Sequence, residues 1–411
     1  MLLLVAGRCL AALPQGGYGQ GYSDVVPPGA ALPANLVANR CYTTVDSSLA
    51  GVDVDSQIHI HSGEDVQRLR SKLVAEIWPG GFPNGVMPAS AVQTTSDNAV
   101  GNSSGLFKYL SAGKNTELSA EYRLNINVGY GINSIVYLWV PKQSTNRLFL
   151  VHDGHSDDSY DGQGNVSVRA IVNPTNLATV KTLLAQHYAV MWVQMPLSGD
   201  NLTASSPQVP FSVRCRAGCD RHAEIFRAFT GSSVSPFRFF VDPVIVAVNY
   251  AMSIGKYLDI SMMGASGGGW TTLLVAAIDP RVAKSASVAG SVPLFLRSGK
   301  CGAASVGDAE QQSQRGSLYN DITYFDLYIM AANGANRRHL QVNNQFDRCC
   351  FFGISYVPYA TYLSEFIVKN HLGSYRFFLD NAFVGHGYNI PLAGTPANVT
   401  LETVVLPAFA N

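Results

Sequence analysis

Ser266, Asp347 and His386 follow one another in this chain in an order and setting that could carry nucleophilic chemistry. Ser266 is the centre of Gly264-Ala265-Ser266-Gly267-Gly268, a Gly-x-Ser-x-Gly pattern. An apolar run, Leu258 to Met263, enters it, and a helix-competent run, Trp270 to Ile278, leaves it. That setting predicts a sharp turn from strand to helix, with the serine in a strained conformation and its hydroxyl projecting from the sheet edge. A serine hydroxyl is a poor nucleophile until a base within hydrogen-bond reach takes its proton. His386, between Gly385 and Gly387, can do so near neutral pH. A carboxylate would fix its tautomer and stabilise the imidazolium. Asp347 is the expected carboxylate, with Asp326 and Asp380 as rivals. The tetrahedral oxyanion needs preorganised N–H donors. One is expected from Gly267 and the other from His155, with Ser156 as its substitute.

The elements that must position these groups are readable from periodicity. Tyr122–Val128 alternates with period two, Ile135–Val140 is an apolar run ended by Pro141, and Leu148–Val151 leads into His152-Asp153-Gly154-His155. A helix is expected over Asn176–His187 and a fourth strand over Ala189–Met195. Asp242-Pro243 reads as a cap followed by a first-turn proline, opening a helix through about Met252. The strand into Ser266 is the fifth. Further strands are expected at Ser285–Val288, His339–Val342 and Tyr375–Leu379, with helices near Asp326–Ala332 and Tyr359–Lys369. Upstream, Ser62 with Asp65 forms a capping pattern before Val66, Leu69, Leu73 and Ile77, and Trp78-Pro79-Gly80-Gly81 ends that helix. Strand and helix in alternation predict an α/β protein with a mainly parallel sheet covered on both faces.

Ser266 then follows the fifth strand, Asp347 the seventh and His386 the eighth. This arrangement resembles the α/β-hydrolase superfamily over about residues 120 to 395. The resemblance implies a mainly parallel eight-stranded sheet, helices on both faces and a cap-like insertion, here at about 201–241. It also implies a serine hydrolase that forms an acyl-enzyme without a cofactor, with small or polymeric carboxylic esters as the first expectation. A peptidase or an acyltransferase would use the same three residues. The expected organisation is a leader and irregular arm over 1–45, a helix and loop extension over 46–120, and a catalytic domain over 121–411. Phe226, Phe229, Phe237, Phe239 and Phe240 could form an apolar wall in the insertion, or ordinary packing.

Three other readings compete. His152, Asp153, His155, Asp157 and Asp158, with His59 and His61, are ligand types for a metal-dependent hydrolase. Their spacing matches no ligand motif, so no metal is expected. Gly264-x-x-Gly267-x-Gly269 could suit a dinucleotide loop, but such a loop calls for an acid about twenty residues on. That region reads Lys284-Ser285-Ala286-Ser287. A non-catalytic binding protein of this fold would usually lack one of the three residues present here.

The chain has 411 residues, only 14% of them charged, with 28 acidic and 28 basic side chains. That balance gives no reason to expect nucleic acid or an anionic membrane as partner, and no run is long enough to span a bilayer. Seven cysteines (Cys9, Cys41, Cys215, Cys219, Cys301, Cys349 and Cys350) and sequons at Asn102, Asn165, Asn201 and Asn398 favour an exported, disulfide-bonded glycoprotein. Met1–Ala6 is apolar but interrupted by Arg8, an atypical leader. A bridge from Cys349 or Cys350, with Cys301 as one candidate partner, could pin the loop that carries Asp347.

Overall fold

The computed structural model describes residues 34–93, 118–155, 159–160, 166–167, 174–198, 200–201, 221–229, 231–255, 257–297, 308–312, 318–347, 349–389 and 398–410. The expected leader, the sequons at Asn102 and Asn165, Cys9, Cys215, Cys219, Cys301, Ser156, Asp157 and Asp158 lie outside them.

The period-two and all-apolar runs form one sheet. Its strands are β1 (Ser90–Gln93), β2 (Leu118–Gly129), β3 (Ile132–Pro141), β4 (Arg147–His152), β5 (Ala189–Val193), β6 (Asp259–Ala265), β7 (Val282–Val288), β8 (Arg338–Asn344) and β9 (Ser374–Asp380). Their spatial order is β1-β2-β3-β5-β4-β6-β7-β8-β9. The first three strands run antiparallel to their neighbours, and β5, β4, β6, β7, β8 and β9 are parallel. Among the described residues this sheet has nine strands, where eight are expected from the sequence. The addition is β1, an exposed four-residue edge strand whose Ser-Ala-Val-Gln sequence has no apolar face to signal it.

Strands buried on both faces send alternate side chains to two cores. Leu148, Leu150 and Met262 point into one, and Phe149, Val151 and Met263 into the other. The first core is covered by α1 (Gly63–Ile77), with α4 (Arg238–Ile254), α5 (Gly267–Ile278), α6 (Tyr324–Ala332) and α7 (Ala360–Lys369). The second is closed by α2 (Pro174–Ala185) and by the C-terminal residues Leu401, Val405 and Phe409. A further helix, α3 (Arg221–Ala228), precedes α4. No helix among the described residues is long and apolar enough to cross a membrane.

Helix α1 forms where the pattern places it. Ser62 Oγ accepts the Asp65 N–H at 3.2 Å, and Val66, Leu69, Leu73 and Ile77 are buried. Burying these four side chains contributes on the order of 10 kcal/mol before conformational entropy is subtracted. Arg70 ties the helix to the domain by donating to Ala277 O at 2.8 Å and Met330 O at 2.9 Å, near the carboxyl ends of α5 and α6. The arm expected to be irregular contains the short helix Arg40–Thr43, and Tyr42 packs on Phe346 and Phe352.

Helix α4 differs from expectation. It begins at Arg238, so Pro243 lies inside it, and Asp242 is buried, accepting from Trp78 Nε1 and Arg238 instead of capping. An interior proline costs about 3 kcal/mol, but the longer helix buries Phe239 and Phe240, which together offset more than that. All five phenylalanines considered for an apolar wall are buried, and Phe237 and Phe240 lie against Trp270. They are core. The described part of the 201–241 insertion therefore packs as part of the domain.

Two of the four sequons are internal. Asn201 donates to Gln194 O and Met195 O at 3.0 and 2.8 Å and accepts from Ile135 N at 2.7 Å. Asn398 donates to Thr179 Oγ1 at 2.8 Å and accepts from Leu401 N at 2.9 Å. Both are fully buried, so neither can carry a glycan in this fold.

Candidate active site

Ser266 sits between β6 and α5 with φ 55° and ψ −126°, a conformation that costs a non-glycine residue about 1–3 kcal/mol. The strain is held by close backbone approach. A Cβ on Gly264 would lie 2.2 Å from Gly268 O, and one on Gly268 would lie 2.4 Å from His152 O. Only glycine fits at either place. The Ser266 N–H is anchored to Val288 O at 2.9 Å. From Ile260 to Asp279 every residue is buried except Ser266, which is partly exposed. The turn thus lifts one hydroxyl-bearing residue out of an otherwise closed strand and helix.

Asp347 follows β8 and is completely buried. Its Oδ1 accepts the backbone N–H groups of Cys349 and Cys350 at 2.8 and 3.1 Å, and its Oδ2 lies 2.7 Å from His386 Nδ1. A carboxylate there accepts the proton of Nδ1, which leaves Nε2 as the basic nitrogen. Asn344, at the end of β8, donates to Gly385 O at 3.1 Å and Gly387 O at 2.8 Å and so holds the loop on both sides of His386. At Gly387 a Cβ would lie 3.6 Å from Ala265 Cβ, which places this loop against the residue before Ser266.

The rival acids have other partners. Asp326 completes a capping box with Thr323 at the start of α6 and binds His59 Nδ1 at 2.9 Å. Asp380 accepts the Ala382 and Phe383 N–H groups and the Asn389 amide.

On the other side of the turn, a Cβ on Gly154 would lie 2.8 Å from Ala265 O and 3.0 Å from Ser266 Cβ. The loop after β4 therefore packs directly on the elbow. Gly267 opens α5, and the His155 ring lies against it, 3.0 Å from where a Gly267 Cβ would be. His59 and His61 do not join this histidine, since His61 meets Phe366 edge-on. The partners of His155 are instead His222, at 2.7 Å, Asp308, at 3.3 Å, and Glu310, at 3.7 Å. None of the three stands out in the sequence, because 155, 222, 308 and 310 share no motif spacing.

Burial pushes the His152 imidazole, at the end of β4, down to about 4, so it stays neutral near pH 7. A broad surface depression of about 820 Å³ is lined by Arg147, Gln186, Tyr188, Lys284, Glu402 and Phe409. It opens at the amino end of β4, opposite Ser266, whereas parallel sheets place chemistry at the carboxyl ends of their strands.

No family model and no curated protein sequence matches the chain. Solved structures do. A protein from Bacteroides fragilis assigned as an acetyl xylan esterase superposes with a TM-score of 0.50 at 10% identity, covering 81% of this chain and 80% of that one. Acetyl xylan esterase 1 from Thermoanaerobacterium sp. gives 0.49 at 15% identity over 85% and 95% of the two chains. A glucuronoyl esterase from Solibacter usitatus gives 0.47 at 12% over 79% and 90%. At these identities the likeness is one of fold. Together with the strand order and the sharp turn at Ser266, it shows that this chain has the α/β-hydrolase fold.

Proposed function

We propose that the protein is a serine hydrolase that cleaves carboxylic esters through an acyl-enzyme, with Ser266 as nucleophile, His386 as base and Asp347 as the acid that orients it. The observation that carries this reading is the strained, partly exposed Ser266 beside a loop whose histidine is bonded to a buried aspartate. Ser266 Oγ attacks the ester carbonyl carbon as His386 Nε2 takes its proton. The Gly267 and His155 N–H groups would donate to the oxyanion. Collapse breaks the bond to the alkoxide, which takes the proton from His386 and leaves. Water, deprotonated by the same nitrogen, then attacks the acyl carbon, and Ser266 departs with the proton restored. These steps need no cofactor.

The Bacteroides fragilis neighbour is assigned as an acetyl xylan esterase, which favours acetyl esters of sugars as the first substrates to try. Export through an oxidising compartment fits the low charge of the chain and its seven cysteines. On this reading any glycan is carried by Asn102 or Asn165. A fluorophosphonate probe should label the wild type and leave Ser266→Ala unlabelled. Absence of labelling on folded wild type would refute the assignment. A panel of p-nitrophenyl esters and peptide anilides separates an esterase from a peptidase.

A further inference from the structure

We propose that His155, His222 and Glu310 form a binding site for one divalent transition-metal ion of the zinc type, which clamps the loop after β4 beside Ser266. The three residues come from that loop, from α3 and from the short helix Ala309–Gln312. Their ligand atoms lie within 4.8 Å of one another.

The triangle has the right size. His155 Nε2 is 2.7 Å from His222 Nδ1, His222 Nδ1 is 3.2 Å from Glu310 Oε2, and His155 Nε2 is 3.7 Å from Glu310 Oε1. An ion about 2.0–2.1 Å from each of three tetrahedral ligands separates them by about 3.3 Å, and the observed edges bracket that value. Shifts of a few tenths of an ångström would seat the ion.

The proton positions also fit. His222 Nε2 lies 3.0 Å from Pro196 O, so that nitrogen carries the hydrogen and Nδ1 presents a lone pair to the cluster. His155 Nδ1 lies 3.3 Å from Asp308 Oδ2, which turns its Nε2 inward in the same way. Metal-binding histidines are oriented by such acceptors behind the ring. Two inward lone pairs would then face each other and a carboxylate, an arrangement that needs a cation or added protons. Glu310 supplies a second, independent sign. It is completely buried, and its Oε1 has no hydrogen-bond partner among the described residues, although it is aimed at His155. A buried anionic oxygen without a donor is costly, and a dication would satisfy it. Two imidazoles and one carboxylate suit zinc or its transition-metal neighbours rather than magnesium or calcium. This departs from the expectation of no metal.

The site does not depend on the role of Ser266, and its test reads the metal itself. The untagged full-length chain, stripped by a chelator and titrated with Zn²⁺ alone, should take up one equivalent and show a rise in Tm, while Mg²⁺ does neither. Co²⁺ in its place should give the visible absorption of a nitrogen- and oxygen-ligated low-coordinate site. His155→Ala, at a partly exposed position, should keep the fold by circular dichroism and lose the stoichiometric ion. Asp308→Asn, behind the ligand, should weaken affinity about 10- to 100-fold without abolishing it. No saturable Zn²⁺ uptake by folded wild type would overturn the proposal and leave a proton-sharing network. Uptake unchanged in folded His155→Ala would overturn it equally.

Discussion

Replacing Asp347 with asparagine changes one atom in the buried acid and tests the proposed base most directly. The carboxylate serves two neighbours with two different oxygens. Oδ1 accepts the N–H groups of Cys349 and Cys350, and Oδ2 faces His386 Nδ1 at 2.7 Å. An asparagine can keep its carbonyl oxygen on the two backbone donors, so the loop and the fold should survive. Its NH₂ group must then face Nδ1, and it donates where the carboxylate accepted. His386 is pushed to the tautomer with hydrogen on Nε2 and can no longer take the serine proton. A wrong tautomer with intact geometry lowers kcat on the order of 10⁴-fold, equivalent to about 5.5 kcal/mol of transition-state stabilisation. The assay is kcat for p-nitrophenyl acetate at pH 7–9, with Tm measured in parallel. Asp326→Asn and Asp380→Asn should retain far more activity. A kcat for Asp347→Asn within tenfold of wild type, on folded protein, would refute the assignment. A larger loss at Asp380 or Asp326 would move it there.

Other expectations follow from packing and ionisation. Burial pushes His339 down to about 3 while it lies stacked between Tyr328 and Tyr375. Its folded value lies below the unfolded one near 6.5, so acid protonates the unfolded chain first, and stability present above pH 6.5 is lost as pH falls toward 3. Urea midpoints of wild type should therefore drop between pH 7 and 4 more than those of His339→Phe, and equal slopes would remove this histidine from the account. Asp65 is held down at about 2, chiefly by hydrogen bonds from Arg68 and Ser62. Its contribution to α1 is present above about pH 4 and fades as pH falls through 2, so the stability gap between wild type and Asp65→Asn should close over that window. Gly268→Ala puts a Cβ 2.4 Å from His152 O and 2.5 Å from Asp153 O. It should cost about 1–3 kcal/mol by urea unfolding, and an unchanged midpoint would mean that the loop after β4 is not packed on the turn. Peptide mass spectrometry of protein secreted from a glycosylating host should find Asn201 and Asn398 unmodified, since both are internal.

The parts of this fold legible in the sequence are those where one residue pattern has one physical solution. Val66, Leu69, Leu73 and Ile77 behind Ser62 gave α1, and Gly-x-Ser-x-Gly between a strand run and a helix run gave the turn at Ser266. The bond between Asp347 and His386 was anticipated through strand order, although 39 residues separate them. What stayed hidden depends on tertiary partners. Asp242-Pro243 has the local signature of a helix start, yet Phe239 and Phe240 are buried one turn earlier and move the start to Arg238. Asn201 and Asn398 match an acceptor triplet, but their amides are used by β3, α2 and the neighbouring backbone. The grouping of His155 with His222 and Glu310 is made by three segments that meet only in the folded chain.

The position of β4 in the sheet has a kinetic consequence. Leu148 pairs on one side with Ala189 and on the other with Ile260. A chain emerging from the ribosome therefore makes an almost wholly apolar strand whose second neighbour is synthesised only much later. Until β6 arrives, one edge of Leu148-Phe149-Leu150-Val151 is an open template for pairing with another nascent copy. Non-local parallel pairing of this kind is slow to form. Refolding yield should consequently fall steeply with protein concentration, and the window of vulnerability should close when the turn at Ser266 docks on Gly154.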